Sequence, residues 1–258
     1  MDDEYFEHSL KLEKEKYYYR RISGESFFLK KELGNCVNRL SIDITGSRAI
    51  IGTGRAVRGS LCFLTNHGDV YPPSELFGIF IPPYSIYRSK CDFEQSTLSF
   101  LVTSKTEVAA ASSMPVLFST VVSDYSGSDE QTAVLLSEIS GIGAAPLMTA
   151  DEPAASAAKN IIDKQYSEIQ RISTLAGLAG IESWELSRLF KQSYGISPLR
   201  YLNNIRTIET IYRLLEDGKK SKIIDVAFNV GFRDLSRFNK QFKSFVNFIP
   251  RNLLPKTI

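Results

Sequence analysis

Two stretches decide how this chain is read: LSRLFKQSYGISP at Leu186–Pro198 and FNKQFKSFVNFIP at Phe238–Pro250. They align without a gap at an offset of 52 residues. Phe190 and Phe242, Lys191 and Lys243, and Pro198 and Pro250 coincide, while Arg188 faces Lys240 and Gly195 faces Asn247. Gly and Asn are the residue types best suited to a left-handed helix C-cap, so that exchange preserves a backbone role. A proline three residues later is placed to open the next helix.

A second matching element lies upstream of each copy. Leu175-Ala176 is followed by Gly180, and Val226-Ala227 by Gly231, with a new helix expected two to four residues after each glycine. A helix-turn-helix needs this arrangement: the alanine lets the second helix cross the first closely, and glycine permits a tight corner at positive φ. In the first of these second helices, Leu186, Leu189 and Phe190 are spaced to face inward, leaving Trp184, Ser187, Arg188 and Lys191 outside. In the second, Leu235, Phe238 and Phe242 form a rough stripe, with Arg233, Ser236, Arg237, Lys240 and Lys243 elsewhere. Leu235 stands near the helix start, where it is also placed to touch a thymine methyl. Solvated basic faces on two ordinary amphipathic helices are the plainer alternative, and duplication of the whole unit argues against it.

Between the units, Ser197-Pro198 to Gly218 has the signals of one long helix: Ser as N-cap, Pro in the first turn and Gly after the end. Leu202, Ile205, Ile208, Tyr212 and Leu215 give it a buried stripe. About eighteen residues at ~1.5 Å each span roughly 27 Å. That is somewhat short of the ~34 Å between successive major-groove faces, so the two second helices are expected in adjacent grooves with some bending or tilting.

Charge agrees with that division. Residues 153–258 carry 17 Lys and Arg against 9 Asp and Glu, a net of +8 in a chain whose total is +2, which leaves −6 for residues 1–152. A basic half on an acidic half is expected where one end neutralises phosphates. The acidic start, Met1-Asp2-Asp3-Glu4, has no apolar segment after it, and no apolar run approaches the ~18 residues a membrane span needs. A cytoplasmic protein without membrane contact is expected. Cys36, Cys62 and Cys91 are odd in number and form no CxxC pair, so they read as buried thiols.

Residues 1–125 read as mostly β. Leu40–Ile51, Leu61–Leu64, Phe77–Ile81 and Thr97–Val102 are β-branched or aromatic runs between Gly, Pro, Asn and Ser clusters, as in a barrel or sandwich. Tyr5 to Arg21 is too charged for a core strand and is expected as an arm or a helix. Residues 126–152 read as a linker with one short helix at Gln131–Ile139, and 153–258 as all-helical. Phe77, Phe80, Tyr84 and Tyr87 are candidates to line an apolar effector pocket. A plain β core explains those four aromatics as well.

An enzyme finds little support. Gly52-Thr53-Gly54 lacks the third glycine of a dinucleotide fingerprint, Val57 standing in its place, and no P-loop lysine follows. His8 and His67 are far apart and have no nucleophile motif beside them. No metal, cofactor or turnover is expected.

Taken together, these residues resemble the DNA-binding domain of AraC/XylS-type regulators. The resemblance runs from Asn160-Ile161-Ile162-Asp163 through Leu175-Ala176 and Leu186–Lys191 to Ala227, Gly231-Phe232, Ser236-Arg237-Phe238 and Phe242-Lys243. It implies a seven-helix domain with two recognition helices on a linker helix, binding to double-stranded promoter DNA, and activation through RNA polymerase. The family's base-reading positions match Trp184, Ser187 and Arg188, then Leu235, Ser236, Arg237 and Lys240. Glu182 stands where a serine N-cap is usual, Asn247 replaces a common glycine, and Leu254 a closing arginine. The N-terminal part is similar to the cupin-like domains of the same family, making the chain α+β. That part would bind a small effector or a regulatory protein, or serve to form a homodimer.

Overall fold

The computed structural model describes residues 15–142 and 152–253, apart from 24–25, 58–60, 66–67, 113, 218–220 and 247–248. It divides into two units, Met1–Met148 and Thr149–Ile258. Tyr5 to Lys14, His8, His67, Gly218, Asn247 and Leu254 lie outside the described residues.

The first unit is a sheet of β1 (Glu15–Ser23), β2 (Ser26–Ile44), β3 (Ala49–Arg55), β4 (Leu61–Thr65), β5 (Gly68–Val70), β6 (Leu76–Ile81), β7 (Ile86–Thr103) and β8 (Val116–Ser119). The hydrogen-bonded order is β1-β2-β7-β3-β6-β8, with β4 on β7 and β5 on β4. This path is open at β1 and β8, so among the described residues the ladders do not establish the expected cupin-like barrel. Short strands were expected, yet β2 and β7 run for 19 and 18 residues. Each is long because it is shared along its length. β7 pairs with β2 on one side, and with β3 over Thr97–Thr103 and β4 over Arg88–Cys91 on the other.

Two further expectations are corrected here. Glu15–Arg21 is neither arm nor helix: it belongs to β1, which pairs antiparallel with β2. Charge excludes it from a central position but suits an edge strand, where it discourages pairing with other chains. The Leu40–Ile51 run is two strands separated by a bend at 45–48. That bend is tied to the Pro82–Ser85 turn, with the Thr45 amide donating to the Ser85 carbonyl (2.9 Å) and the Tyr84 amide to the Gly46 carbonyl (2.8 Å).

Side chains alternate across the sheet, as a period of two requires. On one face Ile51, Phe80, Leu101 and Phe118 pack with Val108 of α1 (Thr106–Ala109) and with Leu135 and Ile139 of α2 (Asp129–Ser140). On the other, Phe63, Phe77, Ile79 and Ile81 form a second cluster. The helix expected at 131–139 therefore starts two residues earlier and contributes to the core of the first unit. Ser128 caps it, its Oγ accepting from the Gln131 amide at 3.3 Å. Gly52-Thr53-Gly54 is β-strand, and a Cβ at Gly54 would stand 2.4 Å from the Phe77 ring.

The second unit contains, among the described residues, six α-helices and a terminal 3-10 turn at Pro250–Leu253. They are α3 (Pro153–Gln165), α4 (Ile172–Leu178), α5 (Ser183–Tyr194), α6 (Pro198–Asp217), α7 (Ile223–Asn229) and α8 (Leu235–Val246). α6 has 20 residues, so it spans about 30 Å rather than 27. α3 and α5 pack against α6, with α4 packed on α3 and α5, and α7, α8 and the 3-10 turn also pack against α6. Among the described residues no helix is long and apolar enough to cross a membrane, and no group of three potential ligands is placed to hold a metal.

Candidate nucleic-acid interface

The two alanine–glycine elements fold into the same closed corner. After α4, the Ile181 amide donates to the Ala176 carbonyl at 3.1 Å; after α7, the Phe232 amide donates to the Ala227 carbonyl at 3.0 Å. Ala179 and Val230 donate to Leu175 and Val226 at 3.0 and 3.1 Å, and Gly180 and Gly231 to Gly177 and Phe228 at 3.2 and 3.0 Å. Each corner satisfies helix-end carbonyls that would otherwise lack donors. Gly180 and Gly231 sit at φ 75° and 101°, where a side chain is strained. Ala176 and Ala227 are buried beneath the crossing helices.

The copies differ by one residue between the glycine and the next helix, because α5 begins at Ser183 and α8 at Leu235. The extra residue moves the cap. Asp234 precedes α8, and its Oδ1 accepts from the Arg237 amide at 2.9 Å. Glu182 precedes α5 in extended backbone, and its side chain makes no capping bond. Asp234 belongs to the residue types that cap helices, so its role is legible from its type and its place three residues before Arg237.

Burial sorts the helix faces. Leu186, Leu189 and Phe190 of α5 and Phe238 and Phe242 of α8 are buried, as expected from their spacing. Phe190 stacks with Tyr194 (4.6 Å between centroids) and Tyr201 (5.6 Å), and Phe238 with Phe232 and Phe242 (5.1 and 5.5 Å). Leu235 is 37% exposed and leaves the inner stripe, since it stands in the first turn beyond the core. Trp184 is 67% exposed, a large apolar surface left in water at the start of α5.

Arg188 and Lys191 are exposed beside Trp184, and Ser187 is half-buried with its hydroxyl donating to the Ser183 carbonyl at 2.8 Å. Arg188 Nη1 donates to Gln192 Oε1 at 3.1 Å, which lays the guanidinium along the outer face. Arg233, Ser236, Arg237, Lys240 and Lys243 are all exposed. Each second helix thus carries an outer face of cations and small polar groups. Gly195 closes α5 at φ 76°, its amide bonding the Lys191 carbonyl at 2.9 Å.

Buried polar groups hold this frame. Tyr201 of α6 donates to Asp163 of α3 at 2.6 Å, and Lys159 pairs with the same carboxylate at 2.7 Å. Burial pushes the Asp163 carboxyl up, while Lys159 and Tyr201 hold it back. Arg206 is 7% exposed on α6. It has no local signature; its place four residues after Leu202, on the apolar stripe, is the one sign that it faces inward.

The four aromatic candidates of the first unit are not gathered around one space. Phe77 and Phe80 are fully buried in the clusters on opposite faces of β6. Tyr87 packs against Phe63 at 5.6 Å between centroids, and Tyr84 occupies a turn at φ 55°.

Comparison with known proteins adds to this geometry. A helix-turn-helix domain family matches residues 175–255. The HTH-type transcriptional activator RhaS of Pectobacterium carotovorum subsp. carotovorum (strain PC1) is 32% identical over 92 residues, covering 36% of this chain and 32% of that protein. RhaS of Escherichia coli O157:H7 is 34% identical over 68 residues, 26% and 24% of the two chains. The alignments thus span a third or less of these curated relatives. Among solved structures, ToxT from Vibrio cholerae covers 90% of this chain and 100% of its own, with a TM-score of 0.52 at 14% identity. Unsaturated fatty acid bound wild-type ToxT from strain SCE256 has the same TM-score, 0.52, and identity, 14%, over 90% and 95% of the chains. At that identity the likeness is one of fold.

Proposed function

We propose that this chain, whose residues 175–255 match a helix-turn-helix domain family, is a transcription regulator of the AraC/XylS type that reads DNA with α5 and α8 in adjacent major grooves. The duplicated corner carries this reading: two glycine-hinged, identically bonded turns each present a cationic helix face, and α6 joins them within one unit. Trp184, Ser187 and Arg188 on α5, and Leu235, Ser236, Arg237 and Lys240 on α8, are the proposed base-reading positions. Lys191, Arg233 and Lys243 are proposed to meet phosphates. Cations of this kind supply affinity, and side chains reaching base edges supply specificity.

Regulation is proposed to enter through the first unit, as a small-molecule or protein signal or through homodimerisation. The bound unsaturated fatty acid of a ToxT structure that shares this fold is in keeping with a small apolar signal. The RhaS relatives, named as transcriptional activators, favour activation, for which contact with RNA polymerase is proposed. The test is selection of duplexes from a random pool by the full chain, followed by binding at increasing salt. About six phosphate contacts would give a log–log slope near −5 and a selected site covering roughly two helical turns. Salt-insensitive binding, or no selected duplex, refutes the proposal.

A further inference from the structure

Arg206 lies midway along α6, and its bonds run to the connection between α3 and α4. Nε and Nη2 donate to the Tyr166 carbonyl at 2.9 and 2.6 Å, and Nη2 also donates to the Ile169 carbonyl. These carbonyls follow the end of α3, where helix carbonyls lack donors and the helix dipole favours a cation. Burial and the charge of Arg233 lower the guanidinium to about 10, which leaves it cationic at neutral pH.

The corner of the second helix-turn-helix closes on the same point. A Cβ at Gly231 would stand 2.6 Å from the Ser167 carbonyl oxygen and 2.9 Å from Arg206 Nε and Nη2. Tyr166 packs against the second core with Val226, Phe238 and Phe242. Its hydroxyl accepts from Arg213 Nη2 at 3.5 Å. The α3–α4 connection therefore touches both the spacer and the second corner, so α6 is braced rather than being a free rod between two heads.

We propose that Arg206 is a positioning residue that locks the two helix-turn-helix units into one rigid body and so sets the half-site spacing the protein accepts. This rests on the DNA-reading role proposed above. One added base pair shifts a half-site by about 3.4 Å and turns it by about 35°. A locked pair of recognition helices cannot follow that turn. A lysine in place of Arg206 keeps the charge but lacks the planar fork that bonds two carbonyls at once.

Two measurements on the full chain test this. Spin labels at exposed Gln192 of α5 and Ser244 of α8, introduced as Gln192→Cys and Ser244→Cys with the native cysteines replaced by Ser, report the α5–α8 distance without DNA. A single narrow distribution is expected, broadening at least twofold in Arg206→Lys. A broad distribution in the parent overturns the proposal whether or not the variant folds, and so does an unchanged width in a folded variant. On a duplex selected by the parent, one base pair inserted between half-sites should weaken parent binding at least tenfold, and folded Arg206→Lys less than threefold. Equal penalties for the two proteins overturn the spacing role. Absence of any selected duplex, with the distance result intact, would instead sink the DNA-reading function.

Discussion

Replacing Gly231 by Ala should cost far more than the same change at Gly180, although the two glycines occupy equivalent corners. Both sit at positive φ, 101° and 75°, where an L-residue pays about 1–2 kcal/mol. Both changes also restrict the unfolded chain, which returns about 0.4–1 kcal/mol. At Gly180 nothing stands within 4 Å of the new Cβ, so the net loss should be about 1 kcal/mol. At Gly231 the Cβ would lie 2.6 Å from the Ser167 carbonyl and 2.9 Å from two Arg206 nitrogens. Arg206 must withdraw, and each hydrogen bond from a charged group is worth about 1.5–3 kcal/mol. Losing one or two brings the total to about 3–5 kcal/mol.

Urea unfolding of the full chain, followed at 222 nm where the helical unit dominates, measures both losses. In thermal melts each kcal/mol should move the helical transition by roughly 4–8 °C. On an Arg206→Met background, Gly231→Ala should cost less than in the parent, because no guanidinium bonds remain to be lost, but still more than Gly180→Ala, because the Ser167 carbonyl stays in place. A double-mutant cycle reads that coupling directly. Equal losses at Gly180 and Gly231, or additivity with Arg206→Met, would refute the reasoning.

Other outcomes follow from the same geometry. Asp234→Ala removes the cap of α8 and should cost about 1 kcal/mol, whereas Glu182→Ser supplies a missing cap to α5 and should raise the melting temperature. Phe190→Ala empties the stack with Tyr194 and Tyr201 and should cost about 3–5 kcal/mol by urea titration. Arg188→Ala should lose about 1–3 kcal/mol on a selected duplex and relax preference at one base pair; an equal loss on random DNA would show a phosphate contact only. Burial pushes the Tyr125 hydroxyl up to about 12, against the opposing effect of its hydrogen bond with Thr132. Its folded pKa exceeds the unfolded value near 10, so this contribution is full below pH 10 and is lost as pH rises to 12. Tyr125→Phe should flatten that loss by roughly 2–3 kcal/mol.

Local sequence rules specify the second unit closely. The repeat, the corners at Gly180 and Gly231, the cap at Gly195, the long spacer and the exposed cations are all visible in the sequence. Each depends on a local rule: a 3.6-residue period decides what faces inward, and a positive φ selects glycine. Tertiary structure alone decided that charged Glu15–Arg21 is an edge strand, and that Phe77 and Phe80 fill cores on opposite faces. It also decided that α2 packs into the sheet and that Arg206 bonds carbonyls 37 and 40 positions away. Strand pairing and the burial of a cation depend on partners distant in sequence. Whether a charged residue faces water or a helix end is therefore settled when the chain closes on itself, not by its neighbours along the chain.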